Sequence, residues 1–106
     1  MSIKLNLPAV FTPPKTVTSS YTLTANDNML VVNSASLVVL SFPVASSNGG
    51  KALYVKSVNT GGVNSATSNI VPLGTTAPGT TLLPTLAGKF ALVVSDGTNW
   101  VTMASN

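Results

Sequence analysis

Residues 90–104, with the sequence FALVVSDGTNWVTMA, decide the fold of this chain. The first five of these residues are apolar and end in two β-branched valines, which favours a strand. Asp96-Gly97 then predicts a tight hairpin turn, because glycine adopts the positive φ that such turns need. Trp100 opens the return strand, where one large ring can cover much of a small core. The stretch therefore predicts a hairpin with Asp96 and Gly97 in its turn and Trp100 as its structural anchor.

Short strand-like segments separated by turn signals also recur before this hairpin. No segment shows an apolar stripe with the spacing of a helix over three turns. The pattern predicts an all-β fold, a small antiparallel β-sandwich or barrel. Residues 64–84 are the least regular part, and residues 74–81, rich in Thr, Gly and Pro, are expected to form an exposed loop. The clearest strand candidates are residues 21–24, 29–32, 36–42 and 51–58.

The chain length of 106 residues predicts a single domain. Hydrophobic residues make up 44% of the chain, but its apolar runs, such as residues 37–40, are far too short to span a bilayer. Asn6 and Pro8 interrupt the apolar start of the chain before it reaches the length of a signal peptide. We therefore expect synthesis in a cytoplasm without an export signal, and no membrane partner.

Residues 1–20 differ from the rest because they carry three prolines and lack a helical period. Ile3, Leu5 and Leu7 alternate with polar residues, which has two interpretations: a first strand of the domain's own sheet, or an extended arm on another subunit. The second interpretation divides the chain into an extended N-terminal arm, residues 1–20, and a single β domain, residues 21–106. The candidate partner-binding residues in the arm are Ile3, Lys4, Leu5, Leu7, Val10 and Phe11.

The residue inventory excludes most catalytic chemistry. The chain has no His, Cys, Glu or Arg, and its only acids, Asp27 and Asp96, fall in predicted turns. A serine without an imidazole partner is not activated, and a zinc site lacks its usual nitrogen and sulfur ligands. Residues 26–28, Asn-Asp-Asn, suit a plain turn better than a calcium loop. We expect no enzymatic activity, no metal, no cofactor and no small-molecule ligand.

The charge pattern also argues against nucleic acid as a partner. Five scattered lysines and two aspartates give a net charge of +3. Proteins that bind nucleic acid cluster Lys and Arg to displace counterions from phosphates. This chain has neither an arginine nor a basic cluster.

Four segments, in this order, resemble a small β module of tailed-bacteriophage virion proteins. They are YTLTANDNMLVV at residues 21–32, LVVLSFP at 37–43, GGKALYVKSVNTG at 49–61 and LVVSDGTNW at 92–100. The last segment is the most specific. Between residues 63 and 83 the chain departs from the pattern, because related modules place a strand pair where this chain has its Thr/Gly/Pro-rich loop.

The resemblance implies a non-enzymatic structural protein. Together with the expected arm, it favours a capsid decoration (cement) protein that binds and stabilises the outer surface of the phage head. The implied partners are the major capsid protein and further copies of the chain in a homotrimer, and the implied location is the virion surface. The alternative is a tail-fibre, head-fibre or baseplate component involved in host attachment. A carbohydrate-binding module ranks third, because it would need exposed aromatic side chains.

Overall fold

Consecutive strands of the chain lie alternately in two packed sheets. The computed structural model describes residues 13–106. The strands of this part are β1 (Lys15–Val17), β2 (Tyr21–Thr22), β3 (Met29–Val32), β4 (Val38–Ser41), β5 (Ala52–Ser57), β6 (Val63–Ser65), β7 (Ile70–Val71), β8 (Thr81–Leu83), β9 (Phe90–Ser95) and β10 (Trp100–Ser105). One short 3₁₀ helix, Ala45–Ser47, follows β4. The protein is a small β-sandwich, as its sequence predicts.

One sheet has six strands in the order β1-β3-β5-β9-β10-β7, and the other has four in the order β2-β4-β6-β8. Five of the eight strand pairs are parallel. This differs from the expected antiparallel arrangement. Because the chain crosses to the other sheet after each of its first strands, it returns to its first sheet running in the same direction. The antiparallel pairs are β5–β9, β9–β10 and β6–β8.

The core lies between the two sheets and is built by alternation along the strands. In β5, residues Leu53, Val55 and Ser57 are buried, whereas Tyr54 and Lys56 are exposed. β9 buries Ala91, Val93 and Ser95 in the same way. Such a period of two places alternate side chains on opposite faces of a sheet. The other buried apolar residues are Val17, Leu23, Leu30, Val32, Val38, Leu40, Ala45, Val63, Ile70, Val71, Leu82, Leu83 and Trp100.

The closing hairpin is formed by β9 and β10. Gly97 in its turn has φ +91°, a backbone conformation that favours glycine. Trp100 is 1% exposed, and its ring centroid lies 5.3 Å from that of Phe42. Its indole N–H donates to the carbonyl oxygen of Pro43 at 3.1 Å. Since Trp100 belongs to the six-stranded sheet and Pro43 follows β4 of the other, this side chain joins the two layers.

The structure changes the boundary of the expected arm. Lys15–Val17, inside the expected arm of residues 1–20, is the strand β1 and pairs in parallel with β3. Val17 is buried in the core. Residues 15–17 are therefore part of the domain's own sheet. The candidate partner-binding residues Ile3, Lys4, Leu5, Leu7, Val10 and Phe11 lie outside the described residues.

The irregular region between residues 63 and 83 contains three short strands, β6, β7 and β8. Within the expected 74–81 loop, residues 74–78 are exposed. The end of this loop is held against β7, because Ile70 and Gly79 exchange backbone hydrogen bonds of 2.9 and 2.7 Å. The tip of the loop is therefore exposed, whereas its end at Gly79 is fixed to β7 by backbone hydrogen bonds.

Replacing Trp100 should destabilise the domain strongly. Trp100→Ala removes a fully buried ring and its hydrogen bond, and we expect a loss of about 3–5 kcal/mol in the free energy of unfolding. Urea unfolding followed by circular dichroism measures this loss without needing the tryptophan signal. Val44→Ala is the control, because Val44 is 66% exposed, and it should change stability by less than about 0.5 kcal/mol. Similar stabilities for the two variants would contradict the anchor role of Trp100.

Candidate functional site

The carboxylate of Asp27 is held in the turn that precedes β3. Its Oδ2 accepts hydrogen bonds from the Tyr21 hydroxyl at 2.8 Å, the Thr24 backbone N–H at 2.7 Å and the Thr24 hydroxyl at 3.1 Å. Lys51 closes the same turn by donating from Nζ to the carbonyl oxygens of Thr24 and Ala25, at 3.1 and 2.7 Å. Asp27 is 9% exposed. The three bonds to Oδ2 hold the turn.

Electrostatics around Asp27 favour its charged form. Burial acts to raise the pKa of this carboxyl, but the hydrogen bonds from Thr24 and Tyr21 and the nearby charge of Lys15 together lower it below its usual value. The hydrogen bond to Asp27 in turn raises the pKa of Tyr21, with smaller effects of burial and of the Asp27 charge. Lys15 also lies over the Tyr21 ring, with Nζ 5.1 Å from the ring centroid. The pKa values of the Asp27 carboxyl and the Tyr21 hydroxyl are thus both shifted away from neutral pH.

Asp96 has a similar role in the β9–β10 hairpin. Its Oδ1 accepts hydrogen bonds from the backbone N–H groups of Thr98 and Asn99, both at 2.8 Å. These bonds lower the pKa of Asp96. Asp96 and Gly97 form the turn, and Trp100 follows on the return strand. The structure thus uses both carboxylates for backbone geometry.

An apolar groove crosses the outer face of the six-stranded sheet. The strand register places Met29 of β3 beside Tyr54 of β5, and Val31 beside Lys56. The same register continues from Lys56 to Phe90 of β9. Pro14, just before β1, lines the groove at the sheet edge. The groove holds a cavity of about 300 Å³.

The lining of this groove favours contact with apolar side chains. Its side chains are aliphatic or aromatic except for the ammonium of Lys56 and the hydroxyl of Tyr54. Small-molecule sites usually add several convergent polar groups to an apolar lining, in cavities of roughly 300–1,000 Å³. Every buried side-chain polar atom of the described residues already has a hydrogen-bond partner. The groove therefore offers only the Lys56 ammonium and the Tyr54 hydroxyl as polar side-chain groups that could orient a small ligand.

The groove is separate from the predicted structural anchors. Trp100 lies on the inner face of the same sheet, and Asp96 and Gly97 lie in a turn at its end. Sequence reasoning missed the groove residues Met29, Val31 and Phe90. The signal that could have found them is the composition of β3, MLVV, and β9, FALVVS, which are apolar at inward and outward positions alike. Strands of this composition usually belong to sheets covered on both faces.

Within residues 13–106, no three His, Cys, Asp or Glu side chains come together in a group that could hold a metal ion. The same part of the chain has no helix of the length and hydropathy needed to cross a membrane. Comparison of the chain with protein-family models, curated proteins and solved structures finds no match.

Loss of the Asp27 carboxylate should weaken the fold in a pH-dependent way. Its folded-state pKa is below the unfolded value of about 3.9, so its contribution to stability is present above that value. The contribution is lost as the pH falls through the folded-state pKa. We expect Asp27→Asn to cost about 1–3 kcal/mol at pH 7 and progressively less below about pH 4.

Urea unfolding of the protein and the variant between pH 7 and pH 2.5 measures this difference. Asp96→Asn is the matched control, since it removes the other carboxylate of the chain from an exposed turn. It should show the same direction with a smaller effect, because its hydrogen bonds are open to solvent. A stability difference between Asp27→Asn and the unchanged protein that stays constant with pH would refute the role of the charge.

Proposed function

We propose that this chain is a non-enzymatic bacteriophage structural protein, a capsid decoration (cement) protein that binds and stabilises the outer surface of the head. Its partners are the major capsid protein and further copies of itself in a homotrimer. The protein is synthesised in the host cytoplasm and acts on the virion surface. The alternative, a tail-fibre, head-fibre or baseplate component, is also consistent with the resemblance. The binding experiment below distinguishes it from a decoration protein.

One observation supports a protein-binding role above all: the six-stranded sheet is apolar on its outer face as well as in the core. A two-layer sandwich in isolation exposes the outer faces of its sheets to water, and those faces are usually polar. Here Met29, Val31, Leu92 and Val94 occupy outward positions of central strands. Contiguous apolar surface of this kind is typical of protein–protein contact sites.

The state of the carboxylates supports the absence of catalysis. Asp27 and Asp96 are the only acids of the chain, and both hold turns through hydrogen bonds to backbone N–H groups. Among the lysines, the Lys51 ammonium donates hydrogen bonds to two backbone carbonyl oxygens. General acid–base catalysis needs a group that titrates near the working pH and reaches a substrate. Neither carboxylate meets this requirement.

A carbohydrate-binding role is less well supported. Sugar rings stack on exposed aromatic faces, but Trp100 is buried and the Tyr21 hydroxyl is bonded to Asp27. Tyr54 is 41% exposed, and its neighbours in the groove are apolar except for Lys56. One tyrosine without planar polar partners gives little recognition of a sugar.

The proposed function predicts saturable binding of the protein to undecorated heads of the phage that encodes it. Co-sedimentation with purified heads measures the bound fraction against the concentration of added protein. Deletion of residues 1–7 should weaken binding sharply, because Ile3, Leu5 and Leu7 then no longer contribute roughly 1.5–3 kcal/mol each of apolar burial. The domain's melting temperature should be almost unchanged, since this deletion leaves β1 intact.

Head binding is contradicted if the full-length protein stays in the supernatant at every concentration. Binding to isolated bacterial envelopes in that case would favour the fibre or baseplate alternative. Triple replacement of Ile3, Leu5 and Leu7 by serine is the matched control for the deletion. It keeps the chain length and removes only the apolar side chains.

The protein should also form a trimer, either free or on the head. A small domain with few charges gains stability by burying apolar surface between copies. Native mass spectrometry of the free protein and particle imaging of decorated heads report the number of copies at each site. A protein that is monomeric in solution and single at each site on the head would contradict the homotrimer.

A further inference from the structure

The loop between β4 and β5 contains the only Asn-Gly pair of the chain, Asn48-Gly49. Asn48 ends the 3₁₀ helix Ala45–Ser47, and its backbone carbonyl oxygen accepts a hydrogen bond from the N–H of Lys51 at 3.0 Å. Residues 48–51 thus form a β-turn with Gly49 and Gly50 at its centre. Both glycines are exposed. The Asn-Gly pair therefore lies at the tip of a turn that is open to water.

Asparagine followed by glycine undergoes an intramolecular reaction of its own side chain. The backbone nitrogen of the glycine loses its proton and attacks the side-chain Cγ, so that a new N–C bond closes a succinimide ring. The side-chain nitrogen takes up a proton and leaves as ammonia. Water then adds to either ring carbonyl and opens the ring to aspartate or isoaspartate. Nothing is oxidised or reduced, and glycine favours the attack because it has no Cβ to hinder it.

The backbone nitrogen of Gly49 is accessible for this attack. In the described part of the chain, its N–H donates no hydrogen bond, as is usual for the second residue of a β-turn. A Cβ built on Gly49 would meet no atom within 4 Å, so no neighbouring group packs on this side of the turn. Ring closure requires rotation of Asn48 away from its ψ of 29°. Because two exposed glycines follow, no side chain in the turn opposes this rotation.

The Asp-Gly pair of the chain, Asp96-Gly97, could close the same ring but is held in place by hydrogen bonds. The backbone N–H of Gly97 donates to Oγ of Ser95 at 3.3 Å. Oδ1 of Asp96 accepts from the N–H groups of Thr98 and Asn99, both at 2.8 Å. Ring closure would have to break these bonds, and an ionised carboxylate is a poorer electrophile than an amide. The structure thus separates two pairs that look alike in the sequence.

We propose that Asn48 is a modification site, where the side chain closes a succinimide with the Gly49 nitrogen in the folded protein and opens to aspartate and isoaspartate. This inference goes beyond the proposed function and does not depend on it. The reaction gives position 48 a negative charge, since a carboxyl group there ionises at neutral pH. The site needs no partner and no reactant other than water.

The modification should weaken the attachment of the loop. Nδ2 of Asn48 donates to the carbonyl oxygen of Val44 at 2.7 Å. A carboxylate has no hydrogen to donate, so in the aspartate form two acceptors face each other. The isoaspartate form also adds one carbon to the backbone just before Gly50, whose N–H donates to the carbonyl oxygen of Ser95 on β9 at 2.8 Å. Both products therefore disturb contacts that hold the loop.

Peptide mass spectrometry of the folded full-length chain after incubation at mildly alkaline pH tests the site. The reaction replaces an NH group by an oxygen atom, and fragment ions locate this change among the asparagines. Position 48 should convert first and many times faster than any other asparagine. Its rate should rise with pH, because the attacking nitrogen must lose its proton. Digestion at acidic pH and a sample taken before incubation exclude conversion during the analysis.

Three variants make the test specific. Gly49→Ala should fold normally, because Gly49 is not among the glycines with positive φ and its Cβ would meet no atom, but the added methyl group should slow conversion strongly. Asn48→Asp reproduces one product. Ser46→Asp is its matched control, since it adds the same charge at an exposed position of the 3₁₀ helix and keeps the bond to Val44. Asn48→Asp should melt at a lower temperature than Ser46→Asp.

Each possible result supports or overturns a defined step. An amide that persists at position 48 in the folded protein, while a urea-unfolded sample converts, overturns the site. Isomerisation of Asp96 as fast as conversion of Asn48 overturns the distinction between the two turns, and an unchanged rate in Gly49→Ala overturns the succinimide route. Equal melting temperatures of Asn48→Asp and Ser46→Asp overturn the role of the bond to Val44. Selective conversion at position 48 that Gly49→Ala suppresses supports the proposal.

Discussion

Burial of Trp100 between the sheets is the contact on which the rest of the fold depends. The ring belongs to β10, yet its hydrogen-bond acceptor and its aromatic neighbour, Pro43 and Phe42, follow β4 of the other sheet. The backbone N–H of Trp100 donates to the carbonyl oxygen of Asn69 at 2.8 Å, and its register partner on β7 is Ile70. One residue therefore fixes the spacing of the layers and the edge of the larger sheet. The turn made by Asp96 and Gly97 sets where on the return strand this residue falls.

Because the chain crosses between the sheets after nearly every strand, it needs a tight corner between almost every pair of consecutive strands. Each corner must reverse direction in a few residues while its backbone groups remain hydrogen-bonded. Short polar side chains meet this need: Ser57 donates to the Asn59 carbonyl at 2.7 Å, and Asn59 donates to the Asn33 side chain at 3.1 Å. Gly61 is required at one corner, because a Cβ there would overlap the backbone carbonyl oxygens of Ser34 and Ser36. The abundance of Ser, Thr and Asn thus follows in part from the topology.

Local patterns in the sequence predict the positions of several strands but not which strands pair with each other. Met29–Val32 and the β9–β10 hairpin are where alternation and turn residues predict them, because both signals act over a few residues. The parallel neighbours β1, β3 and β5 are separated along the chain by strands of the other sheet, and no local signal records such a contact. For the same reason the sequence leaves open whether residues 15–17 belong to an arm or to the domain's own sheet, where the structure places them. The groove escaped prediction because it forms only when β3, β5 and β9 lie side by side.

For the proposed binding role, the same topology favours recognition by shape over recognition by charge. Both carboxylates are used in turns, and the lysines are scattered along the chain. Isolated surface charges contribute little to binding, and salt screens them. The folded chain instead brings together apolar side chains from strands that are not consecutive in the sequence. These side chains lie on the outer face of a sheet whose inner face is packed in the core. A partner that fits such a surface is selected by the contour of its side chains. Because this contour is created by strand register, a shift of one residue in β3 or β5 would turn the groove residues toward the core and abolish the surface.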